Sequence, residues 1–126
     1  MVPRGLSPAG LVLVDKPAGP SSFAIVRELR DRTGARAGHA GTLDPFATGL
    51  LLVLLGRATK LASRFVGLDK RYLTDVDLSA VSATGDPEGA LEPRDSPDRE
   101  ELEAALDRLR GEVELPVPAY SADIPS

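Results

Sequence analysis

Six consecutive apolar residues, Leu50 to Leu55, stand between Gly49 and Gly56 in a chain of 126 residues. Leaving such a run in water is costly, at about 1.5–3 kcal/mol for each large side chain. It is also far shorter than the roughly 20 residues a bilayer crossing requires. Its length and flanking glycines make it a buried strand. A second apolar segment, Gly10 to Val14, ends at Asp15-Lys16-Pro17 and reads as another buried strand followed by a turn. A chain of this length is a one-domain length and can bury about two-thirds of its unfolded surface, so a core around these strands is feasible.

The rest of the chain supplies helices and turns. Ser21 or Ser22 can cap a helix carrying Phe23, Val26 and Leu29 on one face, with Arg27, Arg30 and Arg32 largely off it and Gly34 as its stop. Arg36 to Thr48 reads as a Gly-rich loop, Ala58 to Val66 as a short helix, and Lys70 to Leu78 alternates like a strand. Residues 83–98, rich in Pro, Gly, Asp and Ser, read as a surface loop. Asp98 to Arg110 predicts an amphipathic helix with Leu102, Ala105, Leu106 and Leu109 on one stripe and Gly111 after it. Strands and helices interleave, which predicts a mixed layer built around one sheet. No internal repeat is present.

Composition narrows the chemistry. There is no cysteine and a single histidine. Disulfides, thiolate metal sites and a cysteine nucleophile are excluded, and a protein-only zinc site is not expected. No signal-peptide pattern opens the chain, which together with the missing cysteines predicts a cytoplasmic protein. The charge is uneven. Residues 1–72 carry eleven Lys/Arg against five Asp/Glu, a net of +6, and residues 73–126 carry four against fourteen, a net of −10. A basic half fits a face for a polyanion, although solvated helix faces would give the same count.

Within Gly38-His39-Ala40-Gly41-Thr42-Leu43-Asp44-Pro45, Asp44 is the candidate nucleophile or acid/base. Pro45 biases Asp44 away from helical geometry, and Gly41 and Gly49 allow a ligand close to the backbone. A carboxylate held this way can attack an electrophilic carbon. Taken alone, Asp-Pro is ordinary turn chemistry. His39 reads as a substrate contact or a plain loop histidine. Tyr72, after Lys70-Arg71, reads as a base-stacking ring beside phosphate contacts or as a packed strand tyrosine. Lys16-Pro17-Ala18-Gly19 lacks the Lys-Ser/Thr pattern of a nucleotide triphosphate loop.

Several segments, taken in order, resemble the N-terminal half of TruB-type tRNA pseudouridine-55 synthases. They are Asp15 to Gly19 with Ser21-Ser22, Gly38 to Pro45 with Ala47 and Gly49, and Gly56-Arg57-Ala58-Thr59-Lys60. Asp69-Lys70-Arg71-Tyr72, Thr84 to Gly89 and Pro118-Ala119-Tyr120-Ser121-Ala122 follow at matching intervals. The resemblance covers roughly residues 10–122. It implies an α+β fold, a mixed sheet with flanking helices, incomplete at the C-terminus. It divides the chain into a flexible leader 1–9, the catalytic-domain part 10–122 and a non-matching tail 123–126. It implies isomerisation of uridine to pseudouridine at position 55 in the T-arm loop of tRNA, with no metal or other cofactor and no membrane. The target base would be flipped out of the loop.

By the same resemblance Asp44 is the catalytic nucleophile, Tyr72 stacks on the flipped uracil and helps remove a proton, and His39 contacts the substrate. Lys16, Lys60 and Lys70 would belong to the surface that meets the RNA backbone. Ser79 and Ser82 are mild departures from the family's usual glycine and threonine. Asp123-Ile124-Pro125-Ser126 does not resemble the family's continuation, which holds an arginine that pairs with the catalytic aspartate. The expectation is a truncated or frame-shifted chain with impaired activity. A catalytically inactive RNA-binding fragment is the alternative. A carboxylate-nucleophile hydrolase of small molecules is weaker, because it would need neither the basic half nor Tyr72.

Overall fold

The computed structural model describes residues 8–115. The leader and tail expected at 1–9 and 123–126 fall mostly or wholly outside them, as does Pro118 to Ala122. The described chain forms two compact units, one ending at Arg71 and the other starting at Tyr72. The class is α+β, with two separate antiparallel sheets where one sheet was expected.

In the first unit, strand β3 (Gly49–Leu55) lies between β1 (Gly10–Lys16) and β2 (Ala37–His39). Val12 pairs with Val53, Val14 with Leu51, Lys16 with Gly49, and His39 with Val53. Cross-strand partners share a face, so these residues line one side of the sheet. Helix α1 (Ser22–Thr33) covers that side. Ile25 and Val26 of α1 meet Leu51, Val53 and Leu55 in the core, with Val12, Val14, Leu29, Ala37 and Leu43 packed around it. Each fully buried side chain contributes about 1.5–3 kcal/mol. The opposite side leaves Leu11, Leu13 and Leu50 exposed.

α1 starts where Ser21 accepts a hydrogen bond from the Ala24 N–H at 3.1 Å. It stops at Gly34, whose φ of 67° needs glycine and whose N–H donates to the Arg30 carbonyl. Four expectations change in this unit. Phe23 is exposed, and Ile25 takes its place in the core. β1 runs on through Asp15 and Lys16, because both keep ladder partners on β3. The Gly-rich loop contains a strand, β2, which finds a free edge of β3. After β3, a 3₁₀ turn over Gly56–Leu61 leads into α2 (Ala62–Val66), so the expected single helix is a 3₁₀ piece followed by a short α-helix.

In the second unit, β4 (Ala80–Ser82) and β5 (Leu91–Pro93) form a hairpin whose connection and second strand fall in the stretch 83–98 expected to be a loop. Its connection is tied by Asp86, whose carboxylate accepts from the Thr84 hydroxyl and the Glu88 and Gly89 N–H groups. Helix α3 (Arg99–Arg108) begins with a reciprocal capping box between Asp98 and Glu101. Residues 70–78 form no strand. Alternation gives a strand only where an edge takes its backbone hydrogen bonds, and among the described residues none pairs with this stretch. Among the described residues no helix is long and apolar enough to cross a membrane.

Candidate functional site

The loop between β2 and β3 carries Asp44, and its backbone is tied on both sides of that residue. On one side the Ser22 hydroxyl donates to the Leu43 carbonyl at 2.8 Å and accepts from the Leu43 N–H at 2.9 Å. Ser22 is buried at the start of α1. On the other side the Pro45 carbonyl accepts from the Gly19 N–H at 2.7 Å and from the Lys16 ammonium at 3.0 Å. Lys16 also donates to the carbonyls of Ala47 at 2.7 Å and Pro17 at 2.9 Å. Between these anchors, the Ala47 N–H donates to the Asp44 carbonyl at 3.0 Å. That bond closes a β-turn with Asp at the first position and Pro at the second, where both residue types are favoured.

Asp44 itself is exposed, and among the described residues its carboxylate takes no hydrogen bond and forms no ion pair. The backbone beneath it is fixed while the acid is open to solvent. Such a carboxylate can accept a proton or attack a carbon brought to it without first reorganising the chain that carries it.

Lys16 corrects one expectation. Its side chain has no exposed surface, and its three donors reach three backbone carbonyls. An ammonium so enclosed cannot meet an RNA backbone; it holds the Asp44 loop instead. Lys60 lies in the 3₁₀ turn, exposed, beside an open hollow lined by Ala9, Gly10, Arg57, Ala58 and Leu61. Lys70 is exposed and donates to the carbonyls of Val66 and Leu68. Its stem passes the loop: a Cβ built on Gly41 would lie 3.8 Å from the Lys70 Cε. Gly41 has φ of 94°, where side chains are rarely accommodated.

His39 ends β2, half-buried, with its Nδ1 buried and without a hydrogen-bond partner among the described residues. Tyr72 opens the second unit and is 68% exposed. Sequence reasoning missed the holding roles of Ser22 and Lys16. A serine doublet was the available signal, since one serine suffices as a cap. The other signal was parity: Val12, Val14 and Lys16 fall on one side of a strand. Among the described residues no three His, Cys, Asp or Glu side chains group as a metal site.

Residues 28–123 match the family model described as the N-terminal domain of TruB family pseudouridylate synthase. The chain is 44% identical over 115 residues to a tRNA pseudouridine synthase B of Caldicellulosiruptor saccharolyticus, covering 90% of this chain and 40% of the relative. It is 46% identical over 123 residues to that of Chromohalobacter salexigens, covering 94% and 40%. With that of Bordetella avium it shares 44% over 125 residues, covering 94% and 51%. The chain thus spans about half or less of the length of these curated relatives.

Proposed function

The chain belongs to the TruB family of pseudouridylate synthases, and from that premise we propose that it acts on uridine 55 in the T-arm loop of tRNA, with impaired turnover. The observation that supports this reading best is the open Asp44 carboxylate on a backbone tied at Leu43 and Pro45. In the proposed reaction the bond between uracil N1 and ribose C1′ breaks and a bond between C5 and C1′ forms. C5 loses a proton to solvent and N1 gains one, so the product is an isomer and no redox partner is needed. Asp44 forms a transient bond either to the uracil ring or to C1′ and is released afterwards.

In this reading the uridine is flipped out of the loop to reach Asp44. Tyr72 stacks on the uracil and assists the proton loss, and His39 contacts the substrate. Lys60 and Lys70 meet the RNA backbone, in keeping with the net +6 of residues 1–72. No metal or organic cofactor is required, and a tRNA substrate puts the chemistry in the cytoplasm. Impairment follows from electrostatics: among the described residues no cation pairs with Asp44, so it lacks a charge-assisted contact that would orient it. The same feature favours a second reading, an RNA-binding chain without turnover.

The experiment is tritium release from a T-arm stem-loop labelled at uridine C5. Slow release from position 55, far below the ~1 s⁻¹ at the low end of ordinary enzyme turnover, is the expected result. It should vanish in Asp44→Ala while RNA affinity persists. Ordinary turnover would overturn the impairment. RNA affinity with no release over hours would establish the second reading.

A further inference from the structure

α1 sends Ser22, Ile25 and Val26 inward, toward the Asp44 loop and the core. Phe23, in its first turn, points elsewhere and is 53% exposed. One turn on, the Arg27 guanidinium lies over the Phe23 ring, its central carbon 5.2 Å from the ring centroid. Arg27 has no carboxylate partner among the described residues, whereas Arg32 on the same helix pairs with Glu28. An exposed cation–π pair contributes about 0.5–1 kcal/mol, less than the roughly 1.5–3 kcal/mol a phenyl ring gains by full burial. Stability therefore does not account for an aromatic ring in this place.

Position does account for it. Ser22, the adjacent residue, is the one that grips Leu43 next to Asp44. Phe23 thus stands one residue from the anchor of the candidate site, on the half of the chain with net charge +6. A flat ring under a guanidinium and about half open to solvent is a platform for an unpaired nucleobase, and the guanidinium can reach the adjoining phosphate. We propose that Phe23 and Arg27 form a subsite for an unpaired nucleotide next to the one presented to Asp44. The proposal rests on the RNA reading above and adds a contact that reading does not contain.

The test is the binding of a fluorescent T-arm stem-loop to the full chain, followed by anisotropy across a salt series. Phe23→Ala and Phe23→Leu should each weaken binding about fivefold or more with the salt slope unchanged, and Phe23→Trp should restore it. Arg27→Ala should lower the log–log salt slope by about one phosphate contact. A merely structural role for Phe23 would move the urea midpoint and leave the Leu and wild-type proteins alike in affinity. Wild-type affinity and slope in the Phe23 and Arg27 variants, with weakened binding in Lys60→Ala and Lys70→Ala, would overturn the subsite and leave the RNA reading standing. Absence of salt-dependent RNA binding by the wild-type chain would overturn both.

Discussion

Lys16 carries a charge where no solvent reaches it, and carbonyls at 2.7, 2.9 and 3.0 Å are what make that position tenable. Replacing it by Met leaves the Ala47 carbonyl without its donor and should destabilise the fold by about 1–3 kcal/mol, read from the urea midpoint. The salt slope of RNA binding should stay unchanged in K16M, since a buried ammonium displaces no counterions. An unchanged midpoint with a lower slope would instead return Lys16 to the RNA-contacting surface. Ser22→Ala removes both bonds to Leu43 and should cost a similar ~1–3 kcal/mol, measured the same way. The turn at Asp44 was legible from residue types, because Pro45 restricts its neighbour and Asp-Pro opens β-turns. The burial of Lys16 was not, because a lysine before a proline looks like turn chemistry until the strand register is known.

Elements were legible where their signals were local. The Leu50 to Leu55 run became the central strand, and the Asp98 and Gly34 signals mark a helix start and a helix stop in the structure. Asp98→Ala removes the acceptor of the Glu101 N–H, the side-chain half of the capping box, and should lower the stability of α3 by about 1 kcal/mol, seen as reduced helical circular dichroism. Legibility failed where pairing decided the outcome. β2, β4 and β5 are three residues each, too short for a period to show, and exist because an edge was available. Residues 70–78 alternate without such an edge and stay exposed and unpaired in any sheet among the described residues. In the second unit the Asp86 carboxyl is held below the usual carboxylate range chiefly by the Thr84 hydroxyl, and that of Asp77 by the Ser79 hydroxyl and N–H. Groups with depressed folded-state pKa values support structure above their unfolded value of 3.8 and lose that support as pH falls through the folded one. Both turns should therefore persist at neutral pH and loosen only in acid below the ordinary carboxylate range, followed by NMR titration of the Ser79 and Gly89 amides. Loosening near neutral pH would contradict these bonds.

At the scale of the whole molecule, the two units differ in what they bury. The first has a continuous core on one side of its sheet, whereas no residue from Tyr72 to Leu115 is fully buried. Amide exchange should divide accordingly: slow in β1, β3 and α1, and close to unfolded rates through the second unit. Uniform protection across residues 8–115 would contradict that division. The family was legible in the order and spacing of short motifs. The division into units was not, because it depends on which apolar residues find partners. The candidate nucleophile Asp44 lies in the first unit, an exposed acid on a backbone held from β1, from α1 and from its own turn. Single-turnover tritium release from a T-arm stem-loop, with the chain in excess, compares the wild type with Asp44→Asn most directly. Slow, position-55-specific release by the wild type and none by Asp44→Asn, with RNA affinities within about twofold, is the expected result. Equal release by the two proteins would contradict Asp44 as the reacting group.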